Sequence, residues 1–101
     1  MNIVSILQGK TKAGKYPMNI QEIKNEISLV NDEMLRLFIR QLELAKMAGD
    51  IRKEEGKSVY DRKCEEEIIV KAVENSPRDM QNYTIEFFRN VMKLCKDYYN
   101  D

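Results

Sequence analysis

The chain has 101 residues, 43% of them apolar, which leaves room for one domain and one modest core. Seventeen acids balance seventeen bases, so no overall field draws in nucleic acid or an anionic membrane. Histidine is absent and cysteine occurs only at Cys64 and Cys95, which argues against a disulfide framework, a metal site and a Ser-His-Asp triad.

Residues 1–18 carry Lys10, Lys12 and Lys15 without an acid and read as a flexible leader. Asn2-Ile-Val-Ser-Ile-Leu7 has neither the length nor the basic flank of a signal sequence, and no run reaches the roughly 18 apolar residues of a membrane span. The expected compartment is the cytoplasm. Gly9-Lys-Thr-Lys-Ala-Gly14-Lys15 fits the phosphate-cradling G-x-x-x-x-G-K, but Tyr16 and Pro17 follow where a hydroxyl and a helix start are required.

From Asn19 to Glu55 there is no proline and one glycine. Apolar residues recur at Ile20, Ile23, Ile27, Val30, Met34, Leu37, Leu44, Ala48 and Ile51, alternating steps of three and four. This spacing predicts a long helix whose seam packs along another helix. The polar exception is Gln41, which fits either a register-setting residue or a site residue. Thirty-seven helical residues span about 55 Å, whereas a domain of this size has a radius of gyration of about 13 Å. Either the helix kinks near Gly49 or a second copy covers it; the dimer is preferred, because 46 residues remain after Glu55.

Gly56 suits a helix stop, Ser58 to Tyr60 an extended connector, and Asp61 an N-cap followed by Glu65, Glu66 and Glu67 at the positive end of the helix dipole. A second helix is predicted to about Asn75. Ser76-Pro77-Arg78-Asp79 reads as a break and restart, with serine as cap and proline at the first position. The third helix is expected to bury Met80, Phe87, Phe88, Val91, Cys95 and Tyr98 and to run nearly to Asp101. Bases are not interleaved with these aromatics as nucleic-acid stacking requires. No segment alternates with period two, so the predicted class is all-α.

Glu22 to Leu37, Glu43 to Gly56, Val59-Tyr-Asp and Glu65-Glu-Glu together resemble the all-helical class of chorismate mutases over about residues 20–99. The resemblance implies one domain over 19–101, with one long helix and two shorter ones per subunit in an intertwined homodimer. It also implies rearrangement of chorismate to prephenate, a step of aromatic amino-acid biosynthesis on the shikimate pathway. That reaction needs no nucleophile or cofactor; it needs a dianion held in a compact conformer and a cation beside the ether oxygen.

Carried over by position, the resemblance assigns catalytic roles to Arg52, Glu65 and Tyr99, and substrate contacts to Lys24, Arg40, Gln41, Asp61, Cys64 and Cys95. Asp61 and Glu65 match the family pattern. Lys24 stands for an arginine and Arg52 for a lysine, which keeps charge but changes geometry. Gln41 and Cys64 stand where two arginines belong, with Arg40 beside the first, while Cys95 replaces a serine and Tyr99 an amide. Two lost donors at about 3 kcal/mol each correspond to about 10⁴-fold in rate. Mutase activity is thus expected to be weak or lost; the alternative is a non-catalytic helical dimer used for binding or regulation.

Overall fold

The computed structural model describes residues 16–57 and 62–100. Among them the expected all-α architecture is what the chain adopts. Helix α1 spans Ile20–Glu54, α2 spans Arg62–Glu74 and α3 spans Gln81–Asn100, with a 3-10 turn at Arg78–Met80 before α3. The described residues fall into two compact units, divided between Arg36 and Leu37.

In the first unit, α1 starts from a reciprocal cap. The Glu22 N–H donates to Asn19 Oδ1 at 2.9 Å, and the Asn19 N–H donates back to Glu22 Oε1 at 3.4 Å. Two of the orphan donors of a helix start are satisfied in this way. Beyond the cap, Ile23 is half-buried while Ile20, Ile27, Val30 and Met34 are exposed.

In the second unit, α1 continues unbroken through Gly49 to Glu54. Its inward stripe is Phe38, Leu42, Ala45, Gly49 and Arg52, of which Ala45 and Gly49 are buried. The seam expected at Leu37, Leu44, Ala48 and Ile51 lies one residue out of phase with that stripe and is exposed. Both sets alternate by threes and fours, so spacing cannot choose between two adjacent apolar faces of one helix.

Gly56 ends the helix as expected, at φ +72°. The Lys57 N–H donates to the Arg52 carbonyl at 2.8 Å and the Gly56 N–H to the Lys53 carbonyl at 3.1 Å. These are the two crossing bonds of a Schellman stop, which needs the left-handed backbone that glycine adopts without strain. The connector at 58–60 and the cap expected at Asp61 lie outside the described residues.

Two expectations about the α2–α3 junction need correction. Ser76 is not an N-cap: its Oγ donates to the Ala72 carbonyl at 2.8 Å and pairs with Thr84 Oγ1 at 2.7 Å, so it finishes α2 and ties it to α3. Pro77 is not a first helical residue either. With ψ 144° it is extended, and the chain winds up through the 3-10 turn before α3 begins at Gln81. The Gln81 Nε2 reaches back to the Val73 carbonyl at 3.3 Å.

On α3 the buried residues are Met92 and Cys95, with Phe88, Val91, Lys96 and Tyr99 half-buried. Met80, Phe87 and Tyr98, expected inside, are exposed. The aromatics do without full burial by local contacts: Phe87 and Phe88 meet edge to face at 5.2 Å, and Lys46 Nζ lies 5.6 Å from the Tyr98 ring centroid. Helix α3 meets α1 where the Tyr99 hydroxyl donates to the Gly49 carbonyl at 2.8 Å. A Cβ at residue 49 would overlap the Tyr99 ring, so the close approach requires glycine.

Gly49→Ala is therefore expected to destabilise the wild-type chain by about 1–3 kcal/mol through overpacking, but to stabilise a Tyr99→Ala chain by up to about 1 kcal/mol through helix propensity. Urea unfolding of the four variants measures this coupling. The same effect of Gly49→Ala in both backgrounds would show that the ring does not rest on this glycine.

Candidate functional site

Glu65 lies in the first turn of α2 and faces inward with Ile68, Ile69 and Ala72. Its Oε1 is out of contact with solvent and is ion-paired with Lys96 of α3. Among the described residues the other ion pairs are short-range surface contacts, such as Arg36 with Glu33, Arg40 with Glu43 and Lys93 with Asp97. In the Lys96–Glu65 pair the side chains are only 43% and 27% exposed, so solvent screens it far less.

Three other sequence-nominated residues lie on the inward faces of α1 and α3. Cys95 precedes Lys96 and is 1% exposed; burial pushes its thiol above the usual range. One turn beyond Cys95, Tyr99 is half-buried and spends its hydroxyl on Gly49. Arg52 follows Gly49 by three residues on the same inward stripe of α1 and is half-buried. Glu65, Cys95, Tyr99 and Arg52 thus lie on inward faces of α2, α3 and α1; Glu65 is tied to α3 through Lys96, and Tyr99 to α1 through Gly49.

Other nominated residues are not gathered there. Arg40 is exposed and pairs with Glu43 at 3.5 Å, and Gln41 is exposed on a face adjacent to the inward stripe. Cys64 is exposed at the start of α2. Lys24 is exposed in the first unit, and Asp61 lies outside the described residues.

Sequence reasoning missed Lys96. The signal was present, since Met92, Lys96 and Tyr99 follow one another by four and three residues on a single helix face. A lysine there was passed over because lysines usually belong to solvated faces.

A cavity of about 400 Å³ opens between α2 and α3, with Arg62, Glu65, Glu66 and Arg89 around it and Ile69 and Met92 beneath. A second hollow beside Met80, Tyr83 and Phe87 contains none of the nominated residues. No group of three or more His, Cys, Asp or Glu that could hold a metal ion occurs among the described residues. Nor is any helix there long and apolar enough to cross a membrane. What the neighbourhood offers is charge and hydrogen bonding in a partly desolvated setting, the means of binding and orienting an anion.

The profile of the chorismate mutase type II family matches residues 23–100. The chain belongs to that family. No curated protein and no solved structure matches it. The chorismate mutase match extends over all three helices, so Glu65, Cys95, Lys96 and Tyr99 all fall within the family region.

The contrast between the two thiols is open to direct test. Cys64 is exposed, whereas Cys95 is enclosed and its thiol pushed up by burial. In the native protein a thiol reagent is expected to modify Cys64 at least about 100-fold faster than Cys95, because the thiolate is the reacting form and access limits its attack. Peptide mapping after timed labelling reads the ratio, and equal rates would contradict the enclosure of Cys95.

Proposed function

We propose that this chain is a cytoplasmic helical homodimer of the chorismate mutase type II family in which rearrangement of chorismate to prephenate is weak or lost. The observation that carries this reading is Tyr99. It stands where the family places an amide beside the ether oxygen, and its hydroxyl is already donated to the Gly49 carbonyl. A donor committed to the protein backbone is not free to stabilise charge that develops on a substrate oxygen.

The remaining residues support the same reading. Gln41 and Cys64 are neutral where the family pattern has arginines for the substrate carboxylates. Glu65, nominated as catalytic, is engaged by Lys96. Arg52 is the cation left for the ether oxygen, with Lys24 and Asp61 as substrate contacts, Cys95 as a pocket wall and Arg40 as a possible substitute cation. The closure of Tyr99 onto α1 also favours the second reading, a non-catalytic dimer kept as a binding or regulatory module.

The homodimer rests on the apolar seam of α1. Ile20, Ile27, Met34, Leu37, Leu44 and Ile51 are exposed in the single chain, and monomeric soluble proteins rarely leave so long an apolar row uncovered. A second copy presents the same row and would cover it across a two-fold axis.

Purified protein at high concentration is expected to consume chorismate at about 10⁻³ per second, a median enzyme turnover of about 10 per second reduced by the loss of two charged donors. Gln41→Arg combined with Cys64→Arg should raise that rate by more than the product of the single effects, because both groups would act on one substrate. Turnover near 10 per second in the parent would overturn the reading, and an inert but folded double variant would overturn the residue assignment.

For assembly, light scattering at low micromolar concentration should return twice the chain mass. A stable, folded monomer there would remove the argument from the seam.

A further inference from the structure

The cavity between α2 and α3 has a charge balance that the mutase reading does not use. Two carboxylates border it, Glu65 and Glu66, and each is matched. Lys96 pairs with Glu65, and Arg62 Nε lies 3.6 Å from Glu66 Oε1. The cation left over is Arg89, which borders the cavity from α3 and forms no ion pair among the described residues. The apolar part of the lining is Ile69, Val70 and Met92, of which Met92 is buried and Val70 exposed. At about 400 Å³ the space is in the range of small-molecule sites.

We propose that this cavity binds a small monocarboxylate carried on a compact apolar body, with the Arg89 guanidinium taking the carboxylate and Lys96 keeping the Glu65 wall neutral. A guanidinium presents parallel N–H donors that fit one carboxylate in bidentate fashion. The hydrocarbon part lies over Ile69 and Met92, where its burial adds affinity. A second carboxylate on the ligand would lose its hydration beside a neutral wall without gaining a cation, since Lys96 and Arg62 are already engaged by Glu65 and Glu66. The ligand class therefore differs from the dianion of the family reaction. Lys96 acts here as a positioning residue: it meets the ligand through its effect on Glu65.

The test is equilibrium binding to the full chain by calorimetry and by methyl signals of Met92, with 3-phenylpropanoate, its neutral amide and the dianion phenylsuccinate as probes. The propanoate is expected to saturate the site with a Kd of about 1 mM. The amide should bind at least about tenfold more weakly, and phenylsuccinate no more tightly. Arg89→Gln, at an exposed position, should weaken binding by about tenfold or more.

Lys96→Met should weaken it comparably by leaving Glu65 unmatched, while Lys96→Met with Glu65→Gln removes both charges and should restore affinity to within about threefold. A merely structural role for Lys96 would not produce that rescue. The proposal is overturned by absence of saturable binding, by equal affinity for the amide, by tighter binding of phenylsuccinate, or by a helical double variant as weak as Lys96→Met. Chorismate turnover is measured separately, so an inert mutase with saturable propanoate binding would leave this inference standing.

Discussion

The arrangement of the second unit depends on the approach of one aromatic ring to one glycine. Tyr99 lies against Gly49 so closely that no side chain can stand there, and its hydroxyl is anchored on the Gly49 carbonyl. Once Tyr99 faces α1, helical geometry fixes what else α3 turns inward, because residues three, four and seven positions earlier share its side. Those are Lys96, Cys95 and Met92, and the last two are the most enclosed residues of the helix. The same rotation directs Lys96 at Glu65 of α2. A change that releases the ring would therefore also disturb a charge pair on another helix.

That charge pair shows how an electrically neutral chain can still place a partly shielded ion pair between two helices. Surface pairs such as Arg36–Glu33 contribute little, since water and salt screen them. The Lys96–Glu65 pair is partly desolvated, so breaking it from one side leaves a charge without its partner in a poor solvent. Helix α3 brings two cations, Lys96 and Arg89, toward α2.

Much of the backbone was legible in the sequence. The long helix read from Asn19 to Glu55 spans Ile20–Glu54, and Gly56 stops it for the reason expected, because a left-handed residue needs glycine. Rotation about the helix axes was less legible. Leu37, Leu44 and Ile51 keep the same three-four rhythm as Phe38, Leu42 and Ala45, and only tertiary contact decides which row turns inward. The same ambiguity placed Met80, Phe87 and Tyr98 inside and passed over Met92.

Ser76 was misread because a hydroxyl before proline suits a cap, yet it can equally bond back to a carbonyl four residues earlier, as it does to Ala72. Of the residues singled out in the sequence, Glu65 is engaged by Lys96, Cys95 is enclosed and Tyr99 is bonded to Gly49. Lys96 was not singled out, because the partner that makes it notable lies 31 residues away on another helix.

Gly49 also bears on motion within α1. A glycine in mid-helix is about 1 kcal/mol poorer than alanine as a helix former, and the last turns of α1 run from Gly49 to Glu54, just before the left-handed Gly56. The Tyr99 ring covers Gly49. Local opening there begins with departure of the ring, after which the last turns of α1 can fray and exchange their amide hydrogens while the remainder of the helix stays wound. Departure of the ring would uncover Gly49 and remove the bond by which α3 holds this end of α1, so the persistence of the last turns depends on an aromatic contact with another helix.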